Sequence, residues 1–186
     1  MEPEYWKRAI IKLKKEDAIL KSVIERNQKN ILKSRKDPFG TLLKSIVGQQ
    51  ISVKAAESIH NKLLKLLQAD VSPNMLLSID KQALRETGLS RQKISYLKNI
   101  SKSFKNKSFN VSTLKKMNDE DAIIYITKLK GLGVWSAQMF LMFNLNRPDI
   151  YPTKDIGLIR AISKNYNKKY PPPESFLVRL SKLHKG

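Results

Sequence analysis

The spacing of apolar residues leaves this chain few folds. From Tyr5 onward they recur at intervals of three and four rather than two, the period of a helix that buries one face. Tyr5, Trp6, Ile10 and Leu13 form one stripe, and Ile19, Val23 and Ile24 follow it. Asp37-Pro38 breaks the pattern, because proline lacks an amide donor and restricts the residue before it. A helix is then predicted over 39–50, with Leu42, Leu43, Ile46 and Val47 on one face. Ser52 caps the next, over 52–67, with Ala56, Ile59, Leu63 and Leu66 inward. Shorter helices are predicted at 73–79 and 81–87, the latter closed by Gly88. Further helices are predicted at 90–104, 119–129, 134–145 and 155–164, with a short one from 173. No convincing alternating strand, long-period repeat or low-complexity linker interrupts them. The predicted class is all-α, in one domain over 1–186, and its helix-Gly-helix passages at Gly88 and at Gly131 to Gly133 are weakly alike.

Charge narrows the partner. Lys and Arg number 36 against 16 Asp and Glu, a formal charge of +20, and a basic globular domain commonly meets nucleic acid. Lys outnumbers Arg 28 to 8 and Asn and Ile are frequent, so an AT-rich genome is a competing source of the same charge. The absence of cysteine excludes disulfides, thiolate zinc sites, cysteine-ligated iron-sulfur clusters and cysteine nucleophiles. His60 and His184 have no partners at ligand spacing. Apolar runs fall short of the roughly 20 residues of a membrane span, and Met1 to Trp6 lacks a basic stretch leading into an apolar one. A soluble, cytoplasmic protein is expected.

The segment from Ile126 to Ala137 is the most informative. An amphipathic helix ends at Leu129, Gly131 and Gly133 supply turn geometry that residues with Cβ resist, and an apolar helix starts at once. The first amides of that second helix lie at the positive end of its dipole, where a phosphate can be held. An ordinary tight helix connection has the same glycines. Leu-x-Gly-Leu-Gly-x-Trp-Ser-Ala, followed by Pro152-Thr153-Lys154-Asp155-Ile156-Gly157-Leu158, resembles the hairpin and Gly/Pro-Asp signature of the helix-hairpin-helix DNA glycosylases. Asp37 to Val53, containing Gly48-Gln49-Gln50, is similar to the 3-methyladenine DNA glycosylase II branch, and Gly88 to Lys93 follows in the same order.

The resemblance implies a two-lobed helical fold, with a central lobe at about 40–145, that binds duplex DNA, flips an alkylated purine and hydrolyses its glycosidic bond. It makes Asp155 the catalytic residue: a fixed carboxylate beside the deoxyribose stabilises developing positive charge and can orient or deprotonate a water. An Asp before an apolar helical stripe is otherwise a cap. Lys154 stands where relatives commonly carry another acid. Trp135 stands where lyase members carry a lysine, so a monofunctional hydrolase is implied, and its indole can stack on an electron-poor base. Met139, one turn on, sits where some relatives have Tyr, which implies a base pocket with weaker discrimination. By the same resemblance Gln50 is the wedge that fills the gap left by the base. Gln49, Gly131, Gly133, Trp135 and Ser136 join it as DNA contacts. Carbonyls of Thr127, Leu129 and Leu132 are implied to hold a monovalent cation, with no other cofactor.

Arg91, Lys93, Lys98, Lys102, Lys105 and Lys107 form a stretch without acids that could line the DNA-facing side or simply be solvated. Two alternatives remain at this stage: a noncatalytic helix-hairpin-helix DNA-binding protein, and a basic protein whose partner is another protein. Double-stranded DNA with alkylated bases is the expected partner, bound by a monomer at the nucleoid of a prokaryote. Relatives commonly end in a helix with a Trp-x-Pro-x-Arg-Ser pattern that walls the base pocket. Nothing like it follows Pro171-Pro172-Pro173, so lowered stability, an open pocket or a covering partner is expected.

Overall fold

The structure, a computed structural model, describes residues 3–185; Met1, Glu2 and Gly186, the ends of the expected domain, lie outside the described residues. The chain runs through α1 (Trp6–Glu16), α2 (Ala18–Arg26), α3 (Pro38–Gly48), α4 (Val53–Leu66), α5 (Pro73–Ser78) and α6 (Lys81–Glu86). It continues through α7 (Arg91–Lys105), α8 (Val111–Leu114), α9 (Asp119–Thr127), α10 (Val134–Phe143), α11 (Ile156–Asn165) and α12 (Glu174–Leu183). The fold is all-α, with no strand among the described residues. Among the described residues two compact units form, one from 35–140 and the other from 3–34 together with 141–185.

Short polar residues start most helices. Asp17, Asp37, Ser52, Ser72, Asp80, Ser90, Asn110, Asn118 and Asp155 each accept a backbone N–H of the first turn of the helix that follows. One element departs from the sequence expectation: the one-turn α8 is too short to show a period. The break between the first two stripes falls at Asp17, whose Oδ1 accepts the amides of Ile19 and Leu20.

The unit 35–140 is built on α3, whose Phe39, Leu42, Leu43, Ile46 and Val47 are all buried. Ile94, Leu97 and Ile100 of α7 are buried in the same unit. Phe104 bridges Phe39 and Phe109 at ring separations of 5.3 and 5.1 Å, and Phe140 of α10 meets Phe109 at 6.5 Å. On α4 only Leu63 is fully inward, while Ala56, Ile59 and Leu66 are half-buried.

Two lysines of the basic stretch are structural, a role that neither of its two readings, DNA-facing or solvated, includes. Lys93 Nζ donates to the carbonyls of Val47 and Gln49 at 2.7 and 2.8 Å, closing the C-terminal end of α3. Lys98 Nζ donates to Leu76, Leu77 and Ile79 at the end of α5. Each ammonium satisfies carbonyls that a helix end leaves unpaired, at the negative end of the dipole. Burial lowers the pKa of both.

The other unit is closed around Asp17. Its Oδ2 accepts Tyr166 Oη at 2.5 Å and lies 3.0 Å from His184 Nε2, so His184 has a partner that sequence spacing concealed. Burial pushes the Asp17 carboxyl up, but hydrogen bonds from Tyr166, Leu20, His184 and Ile19 together hold it below its ordinary value. A depressed folded-state pKa gives stability that is complete above the unfolded value and is lost as pH falls through the folded one. Urea midpoints measured from neutral to strongly acidic pH should therefore fall with a carboxyl transition in the wild type. The fall should be flatter in Asp17→Asn, whose neutral-pH stability is already lower; matching acid profiles would refute this role.

Candidate functional site

The hairpin between α9 and α10 is held by three contacts. Leu132 N–H donates to the Leu129 carbonyl at 3.0 Å, and both leucine side chains are buried. Gly131 takes φ +96, and a Cβ there would stand 2.2 Å from Cγ of Tyr96 on α7, so the ring closes directly on the backbone. Gln49 Nε2 donates to the Gly131 carbonyl at 2.8 Å, tying the turn after α3 to the hairpin. Lys93 holds the Gln49 carbonyl in turn, and Gln92 Nε2 donates to Tyr96 Oη at 2.6 Å. Tyr96 carries no sequence signal for this role; only packing brings it to Gly131.

The passage at Gly88 has the same construction. Gly88 and Gly131 both have left-handed φ, +100 and +96, each is followed by a buried leucine, Leu89 or Leu132, and each precedes its helix by the same spacing. They differ at the last residue before the helix. Ser90 turns its hydroxyl onto the Lys93 amide, closing the start of α7. Gly133, whose carbonyl accepts the Ala137 N–H at 3.0 Å, occupies the corresponding place at α10 with no side chain to give. It is exposed, its φ lies outside the left-handed region, and a Cβ there would meet nothing within 4 Å. Of the two glycines only Gly131 is required by the turn; Gly133 puts no side chain over the backbone at the positive end of α10.

The remaining expected contacts divide by exposure. Gln50 is exposed at φ +58, beyond the α3 C-cap Gln49. The Gln49 amide instead supports the hairpin. Ser136 is 3% exposed and its Oγ accepts from Ser45 Oγ at 2.9 Å, so its side chain binds α10 to α3 and only its backbone could serve a ligand. Thr127 Oγ1 donates back to the Ile124 carbonyl.

Trp135, 40% exposed, lines a cavity of about 380 Å³ with Val47, Ile51, Val53 and Ala56 and with the polar Lys44, Glu57 and His60. Burial, and then the nearby Lys44 charge, lower the His60 pKa, which favours a neutral imidazole. Met139 is half-buried and does not line this cavity.

Asp155 belongs to the other unit. Its backbone N–H donates to the Pro152 carbonyl at 2.8 Å and its Oδ1 accepts the Leu158 N–H at 2.7 Å, so it caps α11. A Cβ on Gly157 would approach that oxygen to 3.1 Å; glycine leaves the carboxylate room. The helix behind it is anchored by Ile162, buried with Leu177 and Leu180 of α12. The short helix expected from 173 thus packs on α11.

A family model described as HhH-GPD superfamily base excision DNA repair protein matches residues 43–184. A DNA-3-methyladenine glycosylase of Saccharomyces cerevisiae is 35% identical over 158 residues, which are 80% of this chain and 53% of that protein. One from Bacillus subtilis is 26% identical over 146 residues, 72% of this chain and 48% of that protein. The chain thus spans about half the length of these curated relatives. The crystal structure of a DNA-3-methyladenine glycosidase from Bacillus halodurans superposes with a TM-score of 0.78 at 29% identity, covering 95% of this chain and 82% of that one. A 3-methyladenine DNA glycosylase from Archaeoglobus fulgidus gives 0.77 at 26% identity, covering 98% and 64%.

Proposed function

The chain belongs to the HhH-GPD superfamily of base excision DNA repair proteins, and on that premise we propose that it is a monofunctional DNA N-glycosylase that hydrolyses alkylated bases from duplex DNA. The observation that carries this reading is the hairpin itself, in which Gly131 turns at φ +96 against Tyr96 and exposed Gly133 puts no side chain before α10. Among the described residues nine helices begin on a Ser, Asp or Asn side chain that accepts a first-turn amide; α1 and α12 begin without such a bond, and before α10 exposed Gly133 has no side chain to form one. A backbone phosphate can approach such a helix end closely. Exposed Gln50 is suited to fill the gap left by a flipped nucleotide, and the half-exposed indole of Trp135 offers a stacking face over an apolar cavity.

In the proposed reaction the Asp155 carboxylate faces the positive charge that develops on the sugar as the base departs, and orients the attacking water. The carbonyls of Thr127, Leu129 and Leu132 are an all-oxygen, uncharged donor set of the kind a monovalent cation takes. The Leu129 oxygen keeps a second lone pair beyond the one that accepts the Leu132 amide. A cation held there would add positive charge beside a phosphate. The working form is proposed to be a monomer acting on DNA in a prokaryotic nucleoid. Among the described residues no helix is long and apolar enough to cross a membrane.

Incubation with methylated duplex DNA, followed by quantification of free base, tests the proposal. The strand should stay intact with an abasic site, and borohydride should trap no covalent complex, because the indole of Trp135 has no amine for a Schiff base. A trapped complex would make a lysine the nucleophile and overturn the monofunctional assignment. A second reading, a noncatalytic DNA-binding module, is favoured by the Asp155 cap on α11; binding to methylated duplex without release of any base would establish it.

A further inference from the structure

The charge of this chain gathers at a second place in the unit 35–140, on the side of α7 away from the hairpin. Arg91, Lys98 and Lys102 follow one another along one face of α7, and together with Lys81 and Arg85 of α6 they line a cavity of about 540 Å³. Tyr96, the residue that closes on Gly131, lies roughly 120° or more around the same helix, so cavity and hairpin look in different directions.

Asp80, just before α6, offsets part of the Lys98 charge. No carboxylate lines the cavity. Asp80 and Glu86 stand outside the lining: Asp80 accepts the amides of Gln82 and Ala83, and Glu86 accepts Gln82 Nε2 at 3.4 Å. Lys98 spends its three donors on the carbonyls at the end of α5, which fixes its charge in the wall. Among the described residues Lys81, Arg85, Arg91 and Lys102 are exposed and form no ion pair, so four exposed cations surround one fixed one. Like charges brought together repel, and holding five around one concavity with no acid in its lining favours an anionic occupant. The lining includes no aromatic ring, so a base would find no stacking face there while phosphate oxygens would find guanidinium and ammonium donors.

We propose that the α6–α7 cavity is a second, sequence-independent site for successive backbone phosphates of DNA, separate from the hairpin. The proposal rests on the reading that this chain acts on DNA. Because the two sites face different ways from α7, a strand held at both must curve around the helix, or a second DNA segment occupies the cavity.

The test is the salt dependence of affinity for an undamaged duplex, by fluorescence anisotropy, in the wild type and in a Lys81→Gln/Arg85→Gln/Lys102→Gln variant. Three lost phosphate contacts should make the slope of log K against log salt shallower by about 2 to 3, and a charge-keeping Lys81→Arg/Arg85→Lys/Lys102→Arg variant should restore it. Circular dichroism melting of both variants verifies that they fold. A wild-type slope near zero sinks the glycosylase reading itself. A steep wild-type slope that the neutral variant shares overturns the second site alone. Titration with tripolyphosphate separates the sources: binding lost in the neutral variant, with its DNA slope unchanged, assigns the cavity to a free anion and overturns DNA as the occupant.

Discussion

Asp155→Asn is expected to lose about 10² to 10³ of the rate of base release from methylated duplex DNA while keeping its fold and most of its affinity for the lesion. The substitution separates the two duties of this side chain. Asparagine caps a helix as well as aspartate does, so the carboxamide oxygen can still accept the Leu158 N–H and hold the start of α11. What it cannot supply is negative charge beside the sugar at the moment the base leaves. Asp155→Ala, which removes cap and charge together, should add a stability cost of about 0.5 to 2 kcal/mol to the same kinetic loss. Single-turnover base release and thermal melting of both variants decide the matter. An Asp155→Asn enzyme as active as the wild type would assign the catalytic charge to another group.

Gly131→Ala should be the most damaging single methyl in the hairpin. The new Cβ would fall 2.2 Å from the Tyr96 ring, and φ +96 is a conformation that side chains resist. Backbone strain costs about 1 to 3 kcal/mol and overpacking a similar amount. At about 2 to 4 °C per kcal/mol for a chain of this size, the melting temperature should drop by roughly 5 to 20 °C. Gly133→Ala is the matched control: a Cβ there meets nothing within 4 Å, so melting should barely change. Its methyl would stand before the helix start proposed to meet a phosphate, and affinity for duplex DNA should weaken. Equal melting temperatures for the two variants would refute the different roles assigned to the two glycines.

Much of this molecule is written locally. Helical periodicity placed α3, α4, α7, α9, α10 and α11 to within a few residues, because burying one face needs only a repeat of three and four. The caps at Ser52 and Asp155, the turn at Gly131 and the excess of positive charge are equally local, since each depends on a residue and its neighbours a turn away. The hairpin and the Gly/Pro-Asp segment were therefore legible from residue order, and so was the family.

Tertiary structure decided which surfaces those local elements meet. Asp17 pairs with Tyr166 and His184 across 149 and 167 residues of chain, and nothing in their spacing announces it. Lys93 and Lys98 read as solvated charge until the ends of α3 and α5 are placed beside them. Ser136 and Gln49 read as DNA contacts, yet packing directs one to Ser45 and the other to the Gly131 carbonyl. Gly131 and Gly133 are indistinguishable as letters; Tyr96 makes the first obligatory and empty space leaves the second optional. The physical reason is one of range: backbone propensity and capping act within about four residues, whereas the partner of a buried polar group or a Cβ-less contact is fixed only when distant helix faces are brought together.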